Sequence, residues 1–149
     1  MATINLPPDF KELMKLLNSH QVEYLIIGGY AVAYDGYPRA TADIDVWVAV
    51  TPENTQKVIA VLKEFGFGLP ELTPELFQTP DQIIRMGIPP MRVEILTGVS
   101  GLEFSKCYPQ RIVDLLDDVE VNLIDLTNLK INKKAAGRHK DLDDLENLP

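Results

Sequence analysis

The spacing of apolar positions changes several times along the chain, and each change marks an element. In "PPDFKELMKLLNSHQ" (7–21), Phe10, Leu13, Met14 and Leu17 recur at helical spacing. The prolines sit at the start, where a helix tolerates them. "VEYLIIGG" (22–29) is a continuous apolar run ending in paired glycines, which predicts a buried strand. "YAVAYDGYP" (30–38) is alanine-rich and closed by Gly36 and Pro38, the stop signals of a short helix. "ADIDVWVAV" (42–50) alternates acid and apolar residues and predicts another strand. "TPENTQKVIAVLKEFGF" (51–67) opens on a cap residue and a proline and ends at glycine, which predicts a helix.

The second half is choppier. "GLPELTPELFQTPDQ" (68–82) reads as loop with at most one helical turn. "QIIRMGIPPMRVEIL" (82–96) reads as two strands separated by Gly87 and the Pro89-Pro90 pair. "SGLEFSKCYPQ" (100–110) is irregular or briefly helical. "RIVDLLDDVEVNLIDL" (111–126) reads as two short strands around Asp117-Asp118. "TNLKINKKAAGRHKDLDDLENL" (127–148) is helical and broken at Gly137. No repeat, low-complexity tract or linker interrupts the series. Strands and helices alternate early and strands cluster later, which favours an α/β (α+β) arrangement: a mixed sheet with helices packed mainly on one face.

Composition narrows the picture. At 149 residues, one domain over 1–149 is expected. The single cysteine, Cys107, suits a reducing compartment. The start "MATINLPPDF" lacks a signal-peptide pattern, and no apolar run reaches the roughly 18 residues of a membrane span. The cytoplasm, with no membrane association, is the expectation. A net charge of −8 repels the nucleic-acid backbone, which argues against long duplex DNA as a partner. Against that average, "KINKKAAGRHK" (130–140) gathers Lys130, Lys133, Lys134, Arg138 and Lys140, a cluster able to meet a small polyphosphate.

Candidate chemistry lies in the two strands that carry acids. Alternation puts Asp43 and Asp45 on one face, with Ile44 and Val46 turned the other way. Two adjacent carboxylates repel, and one is driven towards protonation unless a cation joins them. Mg²⁺ suits such hard oxygen ligands; a solvated strand face is the plainer explanation. Glu94, the lone acid of "MRVEIL" (91–96), completes a three-carboxylate cluster if its strand neighbours the first, or else pairs with Arg92 on its own face. Three carboxylates can hold two metal ions, which clamp the attacking and leaving oxygens of a phosphoryl displacement.

The glycine pair Gly28-Gly29 precedes a helix, so it either lets backbone amides approach a phosphate or makes a tight turn. Arg39 and Thr41 lie just before the aspartates; Arg39 reaches a phosphate or pins its own loop. Lys134, Arg138 and Lys140 face a triphosphate or an acidic acceptor, or form a solvated helix end with Asp141 and Asp144 pairing along the helix. Trp47 shares the face of Asp43 and Asp45, either to stack on a base or to fill the core. A phosphatase or nuclease could use the same acids, but neither needs the glycine pair.

With these residues in place, the chain resembles the nucleotidyltransferase superfamily that includes DNA polymerase β. Its signature is an apolar residue, G, then G or S, a dozen or so residues, D-x-D or D-x-E, and a further acid in a later strand. "IGG" (27–29), "DID" (43–45) and "VEI" (93–95) match it. "GGYAVAYDGYPRATADIDVWV", "PPMRVEILTGVSGLEF" and "LTNLKINKKAAGRHKDLDDLENL" look like the small single-domain bacterial nucleotidyltransferases, some of which belong to toxin–antitoxin or abortive-infection systems. Relatives often have aspartate where this chain has Glu94, and histidine or another polar residue near positions 30 to 35, where it has Tyr30 and Asp35.

The resemblance implies a polymerase β-like fold and transfer of a nucleoside monophosphate from NTP, such as ATP, to a hydroxyl on a protein, RNA end or small molecule. It implies Mg²⁺, with Mn²⁺ as a substitute, on Asp43, Asp45 and Glu94 as catalytic and metal residues, Glu94 also helping to deprotonate the acceptor. Gly28 and Gly29 would hold the β- and γ-phosphates, with Arg39, Thr41, Lys134, Arg138 and Lys140 as further nucleotide contacts. A toxin or antitoxin partner is implied as well. A degenerate domain that binds nucleotide or a partner without turnover is the alternative.

Overall fold

The computed structural model describes residues 4–38, 41–88 and 91–149. The chain begins with helix α1 (Pro8–Ser19), whose Phe10, Leu13, Met14 and Leu17 are all buried, as their spacing predicts. Strand β1 (Tyr24–Ile27) follows and runs directly into helix α2 (Gly28–Tyr34), which takes in both glycines rather than starting after them. Strand β2 (Asp43–Val48) leads to helix α3 (Pro52–Phe65). Thr51 caps α3 by accepting from the Asn54 amide, and Gly66 ends it at φ 111°, a left-handed geometry that glycine adopts without steric cost.

A one-turn helix, α4 (Pro74–Gln78), precedes the pair β3 (Ile83–Met86) and β4 (Arg92–Leu96). A short helix α5 (Phe104–Cys107) and a 3₁₀ turn at Tyr108–Gln110 lead to the hairpin β5 (Ile112–Leu116) and β6 (Val119–Leu123). Asp117 and Asp118 turn the hairpin with φ of 50° and 67°, the pattern of a two-residue primed turn. Helices α6 (Leu126–Ala136) and α7 (His139–Asn147) close the chain, parted at Gly137, as the sequence predicts.

The six strands form one mixed sheet in the order β3-β4-β2-β1-β6-β5. β1 pairs antiparallel with β2 and parallel with β6, and β2 pairs parallel with β4. β3 and β5 close the edges as antiparallel neighbours of β4 and β6. Alternation then sorts the side chains. Ile44, Val46 and Val48 of β2 join Tyr24 and Ile26 of β1 in a core beneath α1 and α3, the two longest helices. Trp47, Leu25 and Ile27 face the other way and pack with Cys107 of α5, Leu129 of α6 and Leu148 in a smaller second core.

That second layer covers only half of its face. Trp47 is 1 % exposed and meets Phe104 edge-on at 5.2 Å, so it is a core residue, not a stacking platform. The Asp43 end of β2, two pleats away, lies open. Among the described residues, no helix is long and apolar enough to cross a membrane.

Candidate active site

The register places the acids in rows. Asp45 of β2 stands opposite Glu94 of β4, and Asp43 stands opposite Arg92. Arg85 of β3 stands opposite Glu94 on the far side, and Ile27 ends β1 opposite Asp45. Residues in register across neighbouring strands share a face, so Asp43, Asp45, Glu94, Arg85 and Arg92 all rise from the uncovered half of the sheet. They line a cleft of about 1150 Å³, walled by Gly28, Gly29 and Thr41 on one side and by α6 and the start of α7 on the other.

The glycines owe their identity to this crowding. A Cβ on Gly28 would lie 2.0 Å from Asp45 Oδ2, and Gly28 also has φ +69°. One on Gly29 would lie 2.8 Å from the Thr41 hydroxyl, which itself donates to the Asp43 carbonyl. Any side chain at position 28 would evict the Asp45 carboxylate.

The acids differ sharply in their surroundings. Asp43 receives a bidentate grip from Arg92, Nε at 3.0 Å and Nη2 at 3.1 Å. Glu94 accepts from Arg85 Nε at 3.0 Å and lies 3.8 Å from Arg92 Nε. Arg92 therefore does face Glu94, but its closer partner is Asp43. Asp45 has no such cation: its Oδ1 is buried and accepts no hydrogen bond among the described residues. Burial, the hydrogen bond with Glu94, and the charges of Glu94 and Asp43 push its carboxyl up to about 7, with Lys140 opposing the rise.

Among the described residues, no three His, Cys, Asp or Glu side chains stand ready as a metal cage, and Asp43 and Glu94 pair with arginines. The chemistry nevertheless fits Mg²⁺. A buried, unpartnered carboxylate oxygen beside a second carboxylate, both on rigid strands, is a hard-oxygen site short of a cation.

The basic cluster divides. Arg138 and Lys140 line the cleft, and Arg138 is held there by Asp141, Nε to Oδ2 at 2.7 Å. Lys134 is exposed and absent from the lining; its neighbour Lys133 occupies that wall instead. Lys133 is 4 % exposed and binds Asp141 at 3.3 Å and Asp144 at 2.9 Å, so these two aspartates pair with it rather than along α7 alone. The clue was its spacing: Lys133 follows buried Leu129 by four residues and so shares its inward face. Arg85 and Arg92 escaped the sequence reading as site residues. Their strands alternate as Glu94's does, but the partner of Arg92 is 49 residues away and only the sheet register reveals it. Arg39 lies outside the described residues.

Comparisons with known proteins bear on the fold and the family. Among proteins of curated function, none matches the chain significantly. A crystal structure of a proposed nucleotidyltransferase (TM1012) from Thermotoga maritima superposes with a TM-score of 0.57 over 93 % of this chain and 88 % of that one. At 13 % identity, that similarity speaks for the fold alone. The profile of one family, described as "Nucleotidyltransferase of unknown function (DUF6036)", matches residues 5–148. The chain belongs to that family of nucleotidyltransferases.

Proposed function

We propose that the cleft transfers a nucleoside monophosphate from an NTP to a hydroxyl acceptor and releases pyrophosphate, with Mg²⁺ held by Asp43, Asp45 and Glu94. The observation that carries this reading is the unpartnered Asp45 oxygen, set in register with Glu94 and pressed against a side-chain-free turn at Gly28. A bound Mg²⁺ would neutralise the acids and polarise the phosphate oxygens. The Gly28-Gly29 turn lines the cleft, where its backbone would meet phosphate, and Arg138 and Lys140 supply positive charge from the opposite wall. The acceptor hydroxyl oxygen attacks the α-phosphorus, its proton passes to Glu94, and the bond to the bridging oxygen of pyrophosphate breaks. Positioning and charge neutralisation carry the rate.

Incubation with radiolabelled NTP, Mg²⁺ and cell extract tests this. Label should move to an acceptor with the wild-type chain and not with Asp43→Ala. Equal labelling by both, or none by either, removes the transfer reading. A second reading, a domain that binds nucleotide or a toxin or antitoxin partner without turnover, draws on the two acids already occupied by arginines. It predicts Mg²⁺-dependent thermal stabilisation by NTP with no pyrophosphate release.

A further inference from the structure

Arginines of the cleft pair with its own acids. Arg92 holds both oxygens of Asp43 and stands 3.8 Å from Glu94; Arg85 holds Glu94 from the edge strand. Lys133, at 5 % side-chain exposure, is enclosed by the aspartates it pairs with. The Arg92 and Arg85 side chains are instead 34 % and 56 % exposed and line the cleft. Their backbones are fixed in β4 and β3, and their charged ends reach into the cleft on long side chains. A guanidinium fork matches a carboxylate and a phosphate equally well, so the same group can serve either anion.

Resting on the transfer reading, we infer that Arg92 and Arg85 are exchangeable counter-ions: they pair with Asp43 and Glu94 and pass to the triphosphate when a divalent cation takes the acids. The charges balance, since a cation of two charges replaces two guanidinium groups, which then meet the polyphosphate. The exchange makes metal and nucleotide mutually dependent. Metal alone must displace Arg92 with no anion to receive it, and nucleotide alone meets uncompensated carboxylates. Each should raise the other's affinity by the roughly 5- to 150-fold typical of coupled sites.

Calorimetric titration with MgCl₂, with a non-hydrolysable NTP, and with each in the presence of the other, corrected by the same titrations without protein for Mg²⁺ chelation by the triphosphate, reads this. The wild-type chain should bind Mg²⁺ at least about 5-fold more tightly once nucleotide is present. Arg92→Ala should bind Mg²⁺ alone more tightly than wild type, hold nucleotide less tightly, and lose most of the coupling. Arg92→Lys, which keeps the charge without the fork, should fall between them. Arg85→Ala, at the exposed edge, gives the same readout in smaller measure and covers the case in which Arg92→Ala does not fold. If the wild-type chain binds magnesium and nucleotide together while the variants take up Mg²⁺ no better than it does, the exchange is overturned and the transfer reading stands. If the wild-type chain binds no nucleotide under any condition, both fall.

Discussion

The molecule carries two clusters of aspartates, and they are opposites. Asp141 and Asp144 are the more deeply buried, at 1 % and 0 % exposure, yet they meet Lys133 at 3.3 and 2.9 Å, and Asp141 also meets Arg138. Burial alone would push the Asp141 carboxyl up, but the Arg138 hydrogen bond and the Lys133 charge outweigh it and hold the group below its ordinary value. Asp45 sits at the edge of an open cleft, and its carboxyl is nonetheless driven up to about 7. Burial is the largest influence on both carboxyls and raises each, so burial by itself does not separate a structural acid from a candidate catalytic one here. The supply of positive charge does: the α6–α7 knot has its cations built in, and Asp45 lacks one.

The largest expected effect tests that contrast at Asp45. Asp45→Asn should reduce nucleotidyl transfer by at least about 10²- to 10³-fold, the scale on which removing one charge-stabilising group acts. The same change should leave the fold intact and raise the melting temperature of the metal-free chain at pH 8, because it deletes a carboxylate with no cation. Stopped transfer together with a large fall in melting temperature would make Asp45 a structural acid and erase the distinction.

Next comes the knot. Lys133→Met removes the shared cation of two buried carboxylates, and breaking a buried pair in this way costs about 3–5 kcal/mol. Denaturant melts should show that loss. A neutral result would mean that the knot does not depend on its lysine and would erase the contrast with Asp45.

Sequence alone carried the frame of this comparison but not its substance. The helix of Phe10, Leu13, Met14 and Leu17 was legible because its period is strong, and the strand of Asp43 and Asp45 because acids there break an apolar alternation. That Glu94 stands beside Asp45 was a conjecture until the β2–β4 register placed it there. The arginine partners were hidden because cross-strand pairing depends on register, which no local pattern states. That Lys133 lines the cleft and Lys134 does not was not legible, because one residue rotates a helix by about 100°, enough to exchange the wall of a cleft for solvent.

The two clusters should also respond to pH with opposite signs. The folded chain holds the Asp45 proton up to about pH 7, whereas an ordinary aspartate releases it near 3.8. The stability it confers is complete below about pH 4 and is lost as pH rises through 7. Asp141 is held below its ordinary value, so its contribution is present above that value and is lost as pH falls through the folded-state one. Melting curves at a series of pH values should show the metal-free chain weakening between pH 4 and 7, with that slope missing in Asp45→Asn. Asp141→Asn should keep that slope and lose part of the decline below pH 4. Matching slopes in the two variants would show that both clusters titrate alike.

The smallest effect falls on the lysine next door to the knot. Lys134 is exposed and off the cleft wall, so Lys134→Ala should change stability by no more than about 0.5 kcal/mol. Lys140 stands on the wall close enough for its charge to lower the Asp45 carboxyl, so Lys140→Ala should weaken nucleotide binding and push Asp45 higher still. Titrating both variants with a non-hydrolysable NTP in Mg²⁺ measures the difference. Affinity lost equally in the two would mean that the triphosphate spreads beyond the cleft along α6. Affinity lost in Lys140→Ala alone would confine the cations that matter to the side of the helix that faces the acids.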